Sequence, residues 1–139
     1  MFKIKYKVEE QAIDYPTQAL SQPAQVAELV RQLIKEESDP FVEYFYAFYL
    51  DAKGQINGIN QVAKGSMTSC IVHPREVFKG ALMTATTAII VAHNHPSGDP
   101  KPSSSDLAIT RRLKQAGKLL GVEVIDHVVV GDDSWESIK

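Results

Sequence analysis

Cysteine is almost absent from this sequence: Cys70 is the only one among 139 residues. A single cysteine cannot form a disulfide within the chain, and it cannot supply a multi-cysteine zinc site or an iron–sulfur cluster. The composition therefore fits a reducing compartment, and we expect a cytoplasmic protein.

Long hydrophobic runs are absent as well. No apolar stretch approaches the ~20 residues that a membrane-spanning helix needs. The amino terminus alternates apolar side chains with lysines, whereas a signal peptide needs a continuous apolar core. We expect neither secretion nor a membrane partner.

The chain also lacks an excess of charge of either sign. Its 15 lysines and arginines stand against 17 aspartates and glutamates, which gives a formal net charge of −2. No global positive field therefore exists to neutralise phosphates, so a nucleic-acid partner would require a local patch. One basic cluster, formed by Arg111, Arg112, Lys114 and Lys118, is expected to be the solvated face of a helix, with a polyanion contact as the alternative.

The rest of the composition is that of an ordinary globular domain. Hydrophobic residues make up 44% of the sequence, and 139 residues suffice for one domain with its own core. Residues 1–8 alternate as an edge strand does, with apolar side chains such as Phe2 and Ile4 facing the core, and residues 9–22 form a connector. The free edge of such a strand leaves association with a second copy of the chain open. Residues 23–139 are expected to form the single domain.

Hydrophobic periodicity predicts the elements of that domain. An amphipathic helix follows Pro23, because apolar residues then recur at helical spacing. A strand at residues 88–92 has no polar alternation, which is typical of a strand covered on both faces. The other predicted elements are a hairpin of residues 41–50 and 55–64, a short strand at 70–72, helices at 74–85 and 107–120, and a strand at 122–130. Strands alternating with helices predict a mixed-sheet α/β domain covered by helices.

The segment that carries chemistry lies between the buried strand and the helix that follows it. His93 and His95 are two residues apart, so both imidazoles point to the same side if the strand continues, while Asn94 faces away. Asp106 begins the next helix and can return as a third, oxygen ligand, which gives a His₂Asp set of the catalytic zinc type. Two simpler interpretations stay open: a surface histidine pair, and a capping box in which Ser103 and Asp106 only stabilise the helix.

Other metal motifs are excluded. A zinc nucleobase deaminase needs a Pro-Cys-x-x-Cys motif, which one cysteine cannot supply. No histidine is followed by glutamate, so the His-Glu-x-x-His helix of many metalloproteases is absent.

The spacing of the candidate ligands resembles a known signature. His93-x-His95, seven residues and Ser103-x-x-Asp106 resemble the JAMM (MPN-plus) metalloprotease motif, and residues 92–103 resemble its bacterial branch, the RadC-like proteins. The likeness extends over residues 40–137 and includes Glu43, Gly65-Ser66, the segment from His73 to Lys79, and Asp126-His127.

This resemblance implies a three-layer α-β-α fold with a mixed sheet, similar to that of cytidine deaminases. It also implies a bound Zn²⁺ ion and hydrolysis of a peptide or isopeptide bond in a peptide or protein substrate. By the same resemblance, His93, His95 and Asp106 hold the zinc, Glu43 is the general base and Ser103 donates a hydrogen bond to the oxyanion.

Several residues have open alternatives. Glu76 is the reserve candidate for the base, although an acid at a helix start also complements the helix dipole. Asp126 and His127 would either support the zinc-binding histidines or be structural polar groups. Cys70 and His73 are three residues apart on a predicted strand and so point to opposite faces, which argues against a cysteine nucleophile.

A second function from a different class also stays open. The chain would then be a DNA-repair or DNA-processing accessory, or a protein-interaction module, with a structural or vestigial metal site. Full-length RadC-like proteins generally carry an N-terminal helix-hairpin-helix region of the DNA-binding type, and only residues 1–22 precede the first predicted helix. We therefore expect the family's DNA-repair label to transfer poorly.

Overall fold

The structure, a computed structural model, describes residues 1–5, 19–65 and 71–139, and within them five strands and three helices. The strands are β1 (Glu43–Leu50), β2 (Ile56–Gly65), β3 (Ala88–Asn94), β4 (Glu123–Val130) and β5 (Trp135–Ile138). The helices are α1 (Pro23–Lys35), α2 (Pro74–Leu82) and α3 (Ser104–Leu120). No helix in these ranges is both long and apolar enough to cross a membrane.

The five strands form one mixed sheet in the order β2-β1-β3-β4-β5. β1 pairs antiparallel with both β2 and β3, β4 runs parallel to β3, and β5 pairs antiparallel with β4. The β1–β2 hairpin turns at Asp51, whose side chain accepts hydrogen bonds from the backbone N–H groups of Lys53 and Gln55. Parallel neighbours need a long crossover, and α3 provides it between β3 and β4.

Alternation of side chains along the strands builds two cores, one on each face of the sheet. On β1, Tyr44, Tyr46 and Phe48 pack towards α1, whereas Phe45 and Tyr49 pack towards α2 and α3. β3 is buried on both faces in the same way, as its uninterrupted apolar sequence predicts. The expected three-layer α-β-α arrangement is confirmed, with α1 on one side and α2 and α3 on the other.

The structure differs from the sequence-based expectation at three places. Residues 1–5 form no strand, and Phe2 and Ile4 are exposed because no strand of the sheet pairs with them; the rest of that predicted strand lies outside the described residues. Ile71 and Val72 also form no strand, and Cys70 lies outside the described residues. β5 has no counterpart in the prediction, because a strand of four residues that are exposed or half-buried carries no apolar pattern.

Candidate metal centre

Two histidines lie at the carboxyl end of β3 and face the same side of the sheet. His93 follows Ile89 and Val91 on the face that packs against α2 and α3, and it is 1% exposed. The backbone N–H of His95 donates to the carbonyl of Val130 on β4, so the extended geometry continues past the end of β3. The two imidazoles therefore point to the same side, as their spacing predicts.

Asp106 brings a carboxylate to these histidines from the first turn of α3. The Nε2 atoms of His93 and His95 are 3.0 Å apart, and they lie 3.2 Å and 3.1 Å from the two carboxylate oxygens of Asp106. Ligands about 2.0–2.1 Å from a tetrahedral metal ion are spaced at roughly 3.3 Å, so these distances are compatible with three groups that share one metal ion. The three residues form a group that could hold a metal ion.

Ser103 and Asp106 form a reciprocal capping box at the start of α3. The Ser103 hydroxyl oxygen accepts from the Asp106 backbone N–H at 3.1 Å, and the Ser103 N–H donates to the Asp106 carboxylate at 2.8 Å. The capping box that the sequence allows as the simpler interpretation is therefore present, and it also orients the Asp106 carboxylate towards the histidines. Because the Ser103 hydroxyl acts as an acceptor in the cap, its own proton stays available to donate elsewhere.

A buried chain of hydrogen bonds fixes the tautomer of His93. The Thr110 hydroxyl donates to the carbonyl of Asp106 at 2.6 Å, so it accepts the N–H of His127 Nδ1, also at 2.6 Å. Burial holds the pKa of His127 well below its usual range, so its Nε2 is unprotonated. That atom lies 2.8 Å from His93 Nδ1 and accepts its proton, which leaves the lone pair of His93 Nε2 facing the site.

A carbonyl group of the following loop fixes the tautomer of His95, again with the proton on Nδ1. His95 Nδ1 lies 2.9 Å from the carbonyl oxygen of Asp99, which can only accept. His95 Nδ1 therefore carries a proton, and its Nε2 faces Asp106. The loop turns at Gly98, which adopts a positive φ of 88° and packs against Gly131 and Asp132 of the β4–β5 turn.

These hydrogen bonds aim acceptor atoms of His93, His95 and Asp106 at one another. Such an arrangement is stable only with a positive charge between the atoms. Hydrogen bonding to Asp106 raises the pKa of His95, so a proton is one such charge. Burial alone would raise the pKa of Asp106, but hydrogen bonds and charge from the two histidines outweigh it and lower that pKa. A divalent cation satisfies all three groups at once, so the donor set fits the implied zinc ion.

Glu43 places a second carboxylate beside this group. It begins β1 and shares the face of Phe45, which brings its Oε1 to 3.7 Å from His93 Nε2. The side chain is 12% exposed. Burial raises the pKa of Glu43 although the two neighbouring histidines act to lower it. The structure thus brings together all five predicted site residues.

The other candidates lie apart from this group. Glu76 is exposed on α2 and forms an ion pair with Lys79 at 2.9 Å. Asp126 accepts hydrogen bonds from Ser137 of β5 and from its neighbour's backbone N–H, and it contacts neither histidine of the site. His127 takes the supporting position instead.

Thr110 and Phe45 adjoin the site, although the sequence did not point to either residue. Thr110 completes the chain of hydrogen bonds to His93, and the Phe45 ring stacks on His93 with a centroid distance of 5.7 Å. No sequence signal marks Phe45, because an aromatic residue on a strand is usually core. Thr110 lies four residues after Asp106, one helical turn away, which is the only hint.

A cleft opens beside the carboxylates of Glu43 and Asp106. Its volume is about 310 Å³. The described residues that line it are Glu43, Phe45, Ile71, Val72, Ser105, Asp106, Ala108, Ile109 and Arg112. The cleft therefore runs along one face of α3, and Arg112 is the one cationic side chain among these lining residues.

Comparison with known proteins places the chain in a family. Residues 20–139 match the model of the RadC-like JAB domain. A UPF0758 protein of Methanosarcina mazei is 42% identical over 130 residues, which is 94% of this chain and 56% of that protein. A UPF0758 protein of Syntrophomonas wolfei is 46% identical over 86% of this chain and 52% of its own length, and one of Alkaliphilus metalliredigens is 50% identical over 70% and 42%.

The chain thus spans about half the length of these curated relatives. Their names state no activity. The match of the family model covers the described sheet, the three helices and every candidate site residue. The chain belongs to the RadC-like JAB domain family.

Proposed function

We propose that this chain is a zinc-dependent hydrolase that cleaves a peptide or isopeptide bond. The observation that carries the proposal is the convergence of three metal-binding groups at 3.0–3.2 Å, with a largely buried glutamate 3.7 Å from one of them. A structural zinc site usually has four protein ligands, whereas three ligands leave a position for chemistry.

His93, His95 and Asp106 would hold the ion through the atoms that the hydrogen bonds leave free. A zinc ion bound there supplies Lewis acidity, which polarises a carbonyl and lets water act as a nucleophile at neutral pH. With a single carboxylate among the three groups, the site keeps a net positive charge. The supporting contacts from His127 and Asp99 hold the imidazoles in place.

Glu43 would act as the general base, and its distance of 3.7 Å from His93 Nε2 supports this role. Its carboxylate accepts the proton of the attacking water and then delivers it to the leaving nitrogen. A raised pKa suits this exchange, because such a carboxylate takes and returns a proton more readily near neutral pH. Ser103 donates its free hydroxyl proton to the developing oxyanion while its oxygen caps α3.

The cleft beside the site would receive the substrate. Its apolar wall, formed by Phe45, Val72 and Ile109, favours an aliphatic or aromatic side chain next to the bond that is cut. A pocket of this kind fits a peptide segment better than a nucleic-acid backbone, because it presents one cation rather than a basic surface.

Elemental analysis tests the metal part of the proposal. Wild-type protein purified without added metal or chelator should hold about one zinc ion per chain. His95→Ala and Asp106→Ala should lose it, whereas the matched control His73→Ala should keep it.

A screen of peptide and isopeptide substrates tests the chemistry. Glu43→Gln should bind zinc and fold normally but lose about 10²–10⁴-fold in kcat. Glu76→Gln, which removes an exposed glutamate outside the site, should leave the rate unchanged. Zinc binding without any hydrolysis by the wild type would instead support a structural metal site in an interaction module.

A further inference from the structure

Asn94 lies between the two candidate histidine ligands in the chain, but its side chain forms hydrogen bonds at the start of the strand that carries Glu43. Its Oδ1 accepts the backbone N–H of Tyr44 at 2.7 Å, and its Nδ2 donates to the carbonyl of Val42 at 3.0 Å. Tyr44 and Val42 are the two neighbours of Glu43 in the chain. Asn94 is 7% exposed, so water competes little for the groups that form these two hydrogen bonds.

The carboxamide of Asn94 replaces backbone pairing at a point where that pairing stops. The β1–β3 ladder ends at Phe45 and His93, whereas β3 continues to pair with β4 through Asn94 and beyond. Without a partner, the N–H of Tyr44 would be a buried, unsatisfied donor. An asparagine side chain offers one acceptor and one donor on adjacent atoms, as a peptide group does, so it extends the ladder beyond its last backbone pair.

We propose that Asn94 is a positioning residue that fixes Glu43 relative to His93, His95 and Asp106. The inference rests on the proposed function of Glu43 as the base. Because both backbone neighbours of Glu43 are tied to the same residue of β3, the base and the histidine ligands share one rigid attachment. The His-Asn-His sequence therefore sets two ligands on one face of β3 and the anchor for the base on the other.

This anchoring acts on rate rather than on metal binding. Asn94 touches none of the ligating atoms, and the hydrogen bonds that orient His93 and His95 do not involve it. A displacement of a catalytic group by about 1 Å lowers a rate by roughly 10²-fold. Loss of the anchor should therefore lower kcat while leaving zinc content and KM unchanged.

The test compares Asn94→Asp with Asn94→Ala in the zinc-loaded protein. Asn94→Asp keeps the acceptor for Tyr44 but loses the donor to Val42, so it should fold even if Asn94→Ala does not. Both changes should lower kcat on a cleaved peptide by about 10- to 100-fold. In a Glu43→Gln background they should cause no further loss, because the residue through which Asn94 acts has already been removed.

Tyr49→Phe is the matched control. It removes two hydrogen bonds of β1, to Val77 and from Asn60, at a distance from the base. It should lower stability without lowering kcat. The proposal is overturned if Asn94→Asp and Glu43→Gln lower kcat by independent factors, or if Tyr49→Phe lowers kcat as much as Asn94→Asp does.

Amide hydrogen exchange separates this inference from the proposed function. If the wild type holds zinc but cleaves no peptide, the proposed function fails, and the anchor is then judged on exchange alone. Asn94→Ala should speed exchange at the amide of Tyr44 far more than Tyr49→Phe does. Unchanged protection of that amide in Asn94→Ala would refute the anchor whatever the activity.

Discussion

Replacing Thr110 with valine removes one hydroxyl while preserving the shape of the side chain, and it should weaken zinc binding without touching a ligand. The hydroxyl accepts the Nδ1 proton of His127, which in turn sets the tautomer of His93. In Thr110→Val, the metal-bound state requires His127 to keep a buried N–H with no partner. The metal-free state avoids this, because His127 can move its proton to Nε2 and donate to His93.

The size of the effect follows from the burial of this chain of hydrogen bonds. His127 is 0% exposed, and leaving a buried donor unsatisfied costs about 1–3 kcal/mol. Because the metal-free state avoids this cost, the cost falls on metal binding. Partners of metal-binding histidines typically contribute 10- to 100-fold in affinity, so we expect Thr110→Val to bind zinc about 10- to 100-fold more weakly.

Competition with a chromophoric chelator measures the zinc affinity, and thermal unfolding without metal measures the stability. Thr84→Val is the matched control, since the Thr84 hydroxyl also donates to a carbonyl four residues earlier, that of Gly80 at 3.0 Å. This control should lose stability without losing affinity. An affinity of Thr110→Val equal to that of wild type would refute the tautomer argument, as would an equal loss in Thr84→Val.

Three further substitutions probe the surroundings of the site. Gly131→Ala places a methyl group against the carbonyl of Gly98, so it should destabilise the fold by about 1–3 kcal/mol and weaken zinc binding. Gly58→Ala is the control, because its methyl group meets only the edge of a ring and should change the free energy of unfolding little. Denaturant unfolding measures both changes in stability. Phe45→Ala removes a buried ring that stacks on His93, and the free energy of unfolding should fall by about 3–5 kcal/mol. Asp126→Asn should leave zinc affinity as in wild type, and a loss of about tenfold or more would mean that this carboxylate does support the ligands.

The ligand set was predictable because each of its relations spans only a few residues. The two-residue period of a strand puts His93 and His95 on one face whatever the rest of the fold does. The capping box likewise fixes Asp106 against Ser103 within a single helical turn. Only the approach of the helix start to the strand end needed the tertiary structure, and a short loop limits how far apart those ends can lie.

The sequence left open whether Asp126 or His127 supports the ligands, because the choice depends on a bulge. Ile89 pairs with Val124, but Ile90 pairs with Asp126, so Ile125 is an extra residue in β4. Such an insertion exchanges the two faces of the strand for every residue that follows. Uninterrupted alternation from Val124 onwards would place Asp126 on the face of β4 that carries the site. Because of the bulge, His127 lies on that face instead.

The proximity of Glu43 to the candidate metal-binding residues follows from the topology of the sheet. A strand antiparallel to β3 must begin where β3 ends, and the crossover helix to a parallel neighbour must begin there as well. The first residue of β1, the last residues of β3 and the first turn of α3 are therefore brought to one edge of the sheet. Alternation then selects the face: Glu43 shares that of Phe45, and a shift of β1 by one residue would turn the carboxylate towards α1. The position of the proposed base is thus specified by strand order and register, and this is why we expect the proposed anchor at the start of β1 to affect the rate.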